Sequence, residues 1–250
     1  MVHFIGAGPG AADLITVRGA RLLGEADVII YAGSLVNPAL LEYKKPGCAV
    51  YDSAGMTLEE VISVMAGAEG KHVVRLHTGD PSLYGAIREQ MDELDGRGIP
   101  YDVTPGVSSF SGAAAALEAE YTLPGVSQSV IITRMAGRTP VPEGEELRKM
   151  ASHGCTMVLF LSTGLLEEAE RELVAGGYAP DTPAAIVYKA TWPEQRVFRC
   201  TVSTLARTAR EHGVTKTALI TVGGFLGNPY ERSKLYDPGF THGYRAGTQG

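Results

Sequence analysis

The segment Thr78-Gly79-Asp80-Pro81-Ser82-Leu83 places an acid, two hydroxyls and a Gly-Asp-Pro turn directly after the apolar run Val73-Val74-Arg75-Leu76-His77. Residues in that order predict a strand that breaks at the turn and restarts as a helix from Ser82 to about Asp95, with Asp80 as its cap and Pro81 in its first position. In an open parallel sheet, ligands lie beyond the carboxyl ends of the strands, and the free backbone N–H groups of a helix start suit an anion or carboxylate. Thr104-Pro105-Gly106-Val107-Ser108-Ser109 repeats the arrangement after another strand. Gly6-Ala7-Gly8-Pro9-Gly10 adds a third turn, almost free of side chains, after the first strand. Three such turns at neighbouring strand ends predict one ligand site rather than three unrelated caps.

The chemistry at such a site is narrowed by what is missing. The serines lack the G-x-S-x-G context of a hydrolase nucleophile, and the six histidines show no helical pairing or metal spacing, so no metal site is expected. His77 stands beside the key turn, where it reads either as a base or as a strand-end histidine with a structural hydrogen bond. Cys48, Cys155 and Cys200 are far apart and form no CxxC pair, as expected of small buried hydrophobes in a reducing compartment. Gly6, Gly8 and Ala11 match the G-x-G-x-x-A dinucleotide fingerprint in form. Its context fails, because Pro9, Gly10 and Asp13 delay the helix to about Thr16 and the second strand carries its only acid, Asp27, at its start. The pattern favours a reaction whose reactivity is carried by a cofactor, with the protein positioning it.

The elements that must hold these turns read as two α/β domains, residues 1–120 and 121–250, with a ligand cleft between them. In the first, strands at Val2–Ala7, Asp27–Tyr31, Ala49–Asp52, Lys71–His77 and Tyr101–Val103 alternate with helices, which predicts a mainly parallel sheet. Thr57-Leu58-Glu59-Glu60 has the spacing of a capping box. In the second, Arg196–Thr201 alternates polar with apolar like a half-exposed antiparallel strand, so the sheet there is expected to be mixed. The chain of 250 residues carries a formal charge of −6, with 8 basic against 16 acidic residues up to position 120 and 14 against 12 beyond it. That balance argues against general nucleic-acid binding and suits an anionic small molecule facing the second half. No apolar run approaches a membrane span and no leader-like segment precedes the first strand, so a cytoplasmic protein is expected.

Along essentially its whole length the chain resembles the S-adenosylmethionine-dependent tetrapyrrole methyltransferases. Val2 to Gly10, Asp13-Leu14-Ile15-Thr16, Gly79-Asp80-Pro81 and Pro105 to Ser109 carry the family likeness. Gly137-Arg138-Thr139-Pro140-Val141-Pro142, Tyr188 to Pro193 and Arg232 to Gly243 are similar to the branch that methylates carbon 11 of precorrin-4 or cobalt-precorrin-4. The resemblance implies that S-adenosylmethionine is bound by Pro9, Thr78, Gly79, Asp80, Leu83, Ser108 and Ser109 from the first domain. Leu161, Ala190, Thr217 and Ala218 complete that wall, and Gly8 borders the substrate trough. It also implies a homodimer and a corrinoid substrate, whose acetate and propionate arms call for cations among Arg134, Arg138, Lys189, Arg232 and Lys234. No residue is singled out as a general base, and Asp80 reads as a brace for its turn. Another methyltransferase of this fold, acting on uroporphyrinogen, another precorrin, protein or RNA, is the alternative, and a nicotinamide oxidoreductase stands beside it. Relative to the family the segment between Phe225 and Arg232 is short.

Overall fold

The computed structural model describes residues 1–33, 35–227 and 230–248. The chain divides into two compact units: Met1–Ala113 with Lys189–Gln195, and Ala114–Tyr188 with Arg196–Gly250.

The first unit is built on five strands, β1 (Val2–Gly6), β2 (Val28–Tyr31), β3 (Ala49–Asp52), β4 (Val73–His77) and β5 (Tyr101–Thr104), in the order β3-β2-β4-β1-β5. All four pairings are parallel. β1, β2 and β4 run almost uninterrupted in apolar residues because helices cover both faces of the sheet. On one face Phe4, Ile30 and Val73 pack with Ile62 of α2 (Leu58–Ala66) and Leu94 of α3 (Ile87–Gly96). On the other, Ile5, Ile29 and Leu76 pack with Leu23 of α1 (Val17–Glu25) and Leu40 of a short 3-10 helix. Thr16 caps α1 through Gly19 N–H, and Thr57 with Glu60 closes the capping box of α2. Each cap contributes about 1 kcal/mol. β5 leads directly into α4 (Ser109–Leu117), whose first turn folds back on the Ser108 carbonyl.

The helix expected from Ser82 begins five residues later, at Ile87. Tyr84 and Ala86 adopt left-handed backbone, with φ of 56° and 49°, so 81–86 is a strained turn and Pro81 fills no helix position. Between them Gly85 folds so tightly on Pro81 that a Cβ there would stand 2.2 Å from the Pro81 carbonyl oxygen. Neither Tyr84 nor Ala86 advertises that conformation by residue type, which is why the sequence reads as an unbroken helix.

In the second unit β6 (Val130–Arg134), β7 (Thr156–Phe160), β8 (Pro183–Tyr188), β9 (Arg196–Thr201) and β10 (Ala218–Val222) form a sheet in the order β6-β7-β10-β8-β9. β6 and β7 pair in parallel and the other pairings are antiparallel. α5 (Leu147–Ala151), α6 (Leu166–Ala175) and α7 (Leu205–Glu211) bury Leu147, Leu173 and Leu205 against Met157, Leu159, Ile186 and Ile220 of the sheet. The three cysteines are free and half-buried, and burial pushes the Cys200 thiol up to about 11. Asn228 and Pro229, within the segment that reads as short, lie outside the described residues.

Candidate active site

β1, β4 and β5 are neighbours in the sheet, so their carboxyl ends deliver three turns to one place. There the chain packs backbone on backbone. Gly8 and Gly79 exchange hydrogen bonds, Gly8 N–H to the Gly79 carbonyl at 3.2 Å and Gly79 N–H to the Gly8 carbonyl at 2.9 Å. A Cβ on Gly106 would fall 2.1 Å from the Gly79 oxygen, and one on Gly6 would fall 2.4 Å from the Gly106 Cα. Only glycine permits that approach. Gly79 also needs its φ of 62°.

Asp80 ties the junction together. Its Oδ2 accepts from Gly106 N–H at 2.8 Å, across the gap to the β5 turn. Oδ1 accepts from Ser82 N–H at 2.8 Å and from the Ser82 hydroxyl. Burial alone would raise this carboxyl, but the hydrogen bonds from Ser82 and Gly106 outweigh it and hold the group below the usual carboxylate range. Every oxygen of Asp80 is therefore engaged in ordering backbone. Leu83 N–H bonds back to the Asp80 carbonyl, which seats the half-buried Leu83 in the same turn. Thr78 Oγ1 is buried with no hydrogen-bond partner among the described residues. An orphaned hydroxyl beside a cradle without side chains is what a bound polar molecule would satisfy.

His77 points its Nε2 into the interior, also without a partner, and burial followed by the charge of Arg75 lowers its pKa to about 3. It is neutral at physiological pH and only 6% exposed, so of the two readings of His77 the buried strand residue fits better than the base.

The loop after β1 is held from a distant part of the chain. Trp192 donates from its indole N–H to the Pro9 carbonyl at 3.1 Å, and Thr191 Oγ1 accepts from Ala11 N–H at 3.0 Å. A Cβ on Gly10 would strike the indole at 2.2 Å and the Ala190 carbonyl oxygen at 2.8 Å. Lys189 and Thr191 both adopt left-handed φ, of 46° and 67°. Such residues cost about 1–3 kcal/mol each and persist where surrounding contacts over-determine them. The glycine loop runs into a 3-10 turn at Ala12–Leu14 and the α-helix starts only at Val17, so it lacks the direct loop-to-helix passage of a dinucleotide site. Gly8, Pro9, Gly79, Asp80, Ser108, Ser109 and Ala190 are thus gathered at one junction, with Thr78, Leu83 and Lys189 adjacent in chain. Trp192 was not named for this site by the sequence, nor were Arg75 and Gln90, whose bonds run to Ser53, Ile30 and Ala86 beside the turn. The signal for Arg75 was a charge in the middle of an apolar strand.

Within the second unit, Leu161, Thr217 and Ala218 come together because the end of β7 lies beside the start of antiparallel β10, where Thr163 Oγ1 bonds the Ala218 carbonyl at 3.1 Å. Leu161 is 70% exposed in left-handed backbone with φ 53°, and Thr217 has φ 57°. An exposed, strained leucine has no packing reason for its position. Arg134 ends β6 opposite Phe160 and spends its guanidinium on the carbonyls of Met135, Thr139 and Pro140, bracing the loop that carries Arg138. Arg138 itself is exposed and makes no ion pair or hydrogen bond with the described residues. Lys189 approaches Glu194 at 3.7 Å and lies over the Trp192 ring. Arg232 and Lys234 sit exposed on the C-terminal segment, where Arg232 donates to the Tyr236 carbonyl at 3.3 Å. Among the described residues no cluster of His, Cys, Asp and Glu could hold a metal, and no helix is long and apolar enough to cross a membrane.

Comparison with known proteins places this architecture. The family described as Tetrapyrrole (Corrin/Porphyrin) Methylases matches residues 1–206. The cobalt-precorrin-4 C(11)-methyltransferase of Methanocaldococcus jannaschii is 54% identical over 248 residues, which cover 98% of this chain and 95% of that one. The X-ray structure of a cobalamin biosynthetic enzyme, cobalt precorrin-4 methyltransferase, superposes with a TM-score of 0.89 at 49% identity, covering 91% of this chain and 96% of the other. Uroporphyrin-III C-methyltransferase of Thermus thermophilus, crystallised with S-adenosylhomocysteine, matches with a TM-score of 0.75 at 28% identity over 90% of this chain and 92% of its own.

Proposed function

This chain belongs to the tetrapyrrole (corrin/porphyrin) methylases, and from that premise we propose that it transfers a methyl group from S-adenosylmethionine to carbon 11 of precorrin-4 or cobalt-precorrin-4 in corrin-ring biosynthesis. The observation that carries this reading is near full-length likeness to relatives bearing that name, from strand β1 through the C-terminal segment. The glycine junction supports it independently. Its cradle without side chains and the unpartnered Thr78 hydroxyl fit a small polar ligand, and Thr78, Gly79, Asp80, Leu83, Ser108 and Ser109, with Pro9 and Ala190, would hold the methyl donor.

When bound, S-adenosylmethionine supplies an electrophilic sulfonium methyl, so transfer needs placement and dry surroundings more than a strong catalytic group. The residues here are suited to that work. Asp80 fixes the β4 and β5 turns to each other, and Arg134 holds up the loop that carries the exposed Arg138, which would pair with a carboxylate arm of the macrocycle. Gly8 would border the trough for that macrocycle, with Lys189, Arg232 and Lys234 as further cations. We place the enzyme in the cytoplasm as a homodimer, an assembly that sedimentation at graded concentration tests.

Calorimetry with S-adenosylhomocysteine against NAD tests the donor class, with binding expected for the first and none for the second. Incubating the protein with S-adenosylmethionine and either the cobalt-containing or cobalt-free macrocycle tests the acceptor, read as the mass gain of one methyl group. A gain on neither would overturn the assignment.

A further inference from the structure

Arg75 is a cation in the middle of a buried strand, 8% exposed, and every hydrogen-bond partner it has among the described residues is neutral. Its Nε donates to Gln90 Oε1 at 3.1 Å, and its Nη1 donates to Ser53 Oγ at 2.9 Å and to the Ile30 carbonyl at 3.4 Å. Burial lowers its pKa only to about 10, so it stays charged. A buried charge without a carboxylate is a poor way to stabilise a fold. What it does here is orient one amide. With Oε1 fixed on Arg75, Gln90 aims Nε2 at the Ala86 carbonyl, 2.9 Å away. Ala86 is the last residue of the strained turn, in left-handed backbone. The turn is therefore held at its entrance by Asp80 and at its exit by Gln90.

We propose that Arg75 and Gln90 are positioning residues that lock the exit of the Pro81–Ala86 turn and so set the place of Leu83 and Asp80 in the methyl-donor site. The inference rests on reading that turn as part of the donor site. Two left-handed residues will not stay where they are on intrinsic preference, and hydrogen-bond networks in low dielectric hold a chosen geometry firmly. Arg75 acts through Gln90 and touches no reacting atom.

Gln90→Glu separates the two halves of the network. A carboxylate still accepts from Arg75, and gives that charge an ionic partner, but its side chain has no N–H for the Ala86 carbonyl. The expected result is a roughly tenfold weaker Kd for S-adenosylhomocysteine by calorimetry, together with faster amide exchange in the peptide spanning 81–86. Thr204→Ala, which removes the hydroxyl that accepts from Thr201 N–H at the end of β9 in the second unit, serves as the control that loses stability while keeping donor affinity within about twofold. Gln90→Asn keeps both amide groups one methylene short of reach and carries the same test if Q90E does not fold. Unchanged affinity and exchange in the Gln90 variants would overturn the proposal, as would an equal loss in T204A. Should the wild-type chain bind no S-adenosylhomocysteine, the reading of the site fails, and exchange alone decides whether Gln90 locks the turn.

Discussion

Replacing Asp80 removes a side chain that joins the β4 turn to the β5 turn. The magnitude follows from its three hydrogen bonds. The bond from Gly106 N–H is half-buried, 2.8 Å long and made to a charged acceptor, a class that contributes about 1.5–3 kcal/mol net. The two from Ser82 are local and exposed, and together add less. Asp80→Ala is thus expected to lower stability by about 2–3 kcal/mol, or about 5–10 °C in Tm for a chain of this size, leaving a folded protein. Affinity for S-adenosylhomocysteine should fall by about 10- to 30-fold, because binding must then also pay for ordering two turns that wild type holds in advance. Asp80→Asn should be intermediate. Both oxygens are in use, so the amide nitrogen must face one N–H donor. Because the folded carboxyl titrates below its unfolded range, its stabilisation is complete above the unfolded value of about 3.9 and is lost as pH falls through the lower folded value. The gap between wild type and D80N, followed by urea unfolding, should therefore stay constant from neutral to mildly acidic pH and close only in strong acid. Calorimetry giving D80A wild-type affinity would refute the assignment of Asp80 to the site.

Gly106→Ala drives a Cβ into the Gly79 carbonyl and should cost more than about 3 kcal/mol, whereas Gly55→Ala, with nothing within 4 Å, should be nearly neutral; urea midpoints compare them. His77 has a folded pKa depressed to about 3, so its contribution is complete above the unfolded value of about 6.5 and is lost as pH falls toward 3. Wild type should lose about 2 kcal/mol between pH 7 and 5 from this residue, a slope that His77→Phe removes; an unchanged slope in the variant would discard the argument. Arg138→Ala should raise KM for the macrocycle about tenfold while donor affinity stays within about twofold, since one exposed charge-assisted contact is lost. Equal losses in both constants would make Arg138 a structural residue.

The strands were legible because burial on both faces leaves a run such as Val2 to Gly6 no other role, and the alternation in Arg196–Thr201 carries its half-exposure openly. Capping chemistry was equally readable at Thr57. The start of α3 was not, because Asp80-Pro81-Ser82 has the composition of a helix start, and Asp80 Oδ1 does accept locally from Ser82, while Oδ2 goes to Gly106, 26 positions away, and the left-handed Tyr84 and Ala86 delay the helix. Long-range pairing also hid the partners of the glycine loop. Thr191 and Trp192 reach Ala11 and Pro9 across some 180 residues, and no local pattern encodes that. For the same reason Lys189–Gln195 counts with the first unit despite its place in the sequence. Arg75 is a charge inside an apolar run, a signal the sequence reading passed over, and its partner Gln90 lies 15 positions away on another element, where no strand or helix period links the two.

Trp192 is the sole tryptophan in the chain, and its indole is pinned to the Pro9 carbonyl against Gly10. The protein accordingly carries its own fluorophore, with one emitter at one address. Excitation at the red edge of the indole band spares the 11 tyrosines, so the emission has a single origin. Loss of that hydrogen bond, or a change of polarity at the glycine loop, registers as a spectral shift without any label. Stopped-flow mixing can then time events at this loop separately from turnover.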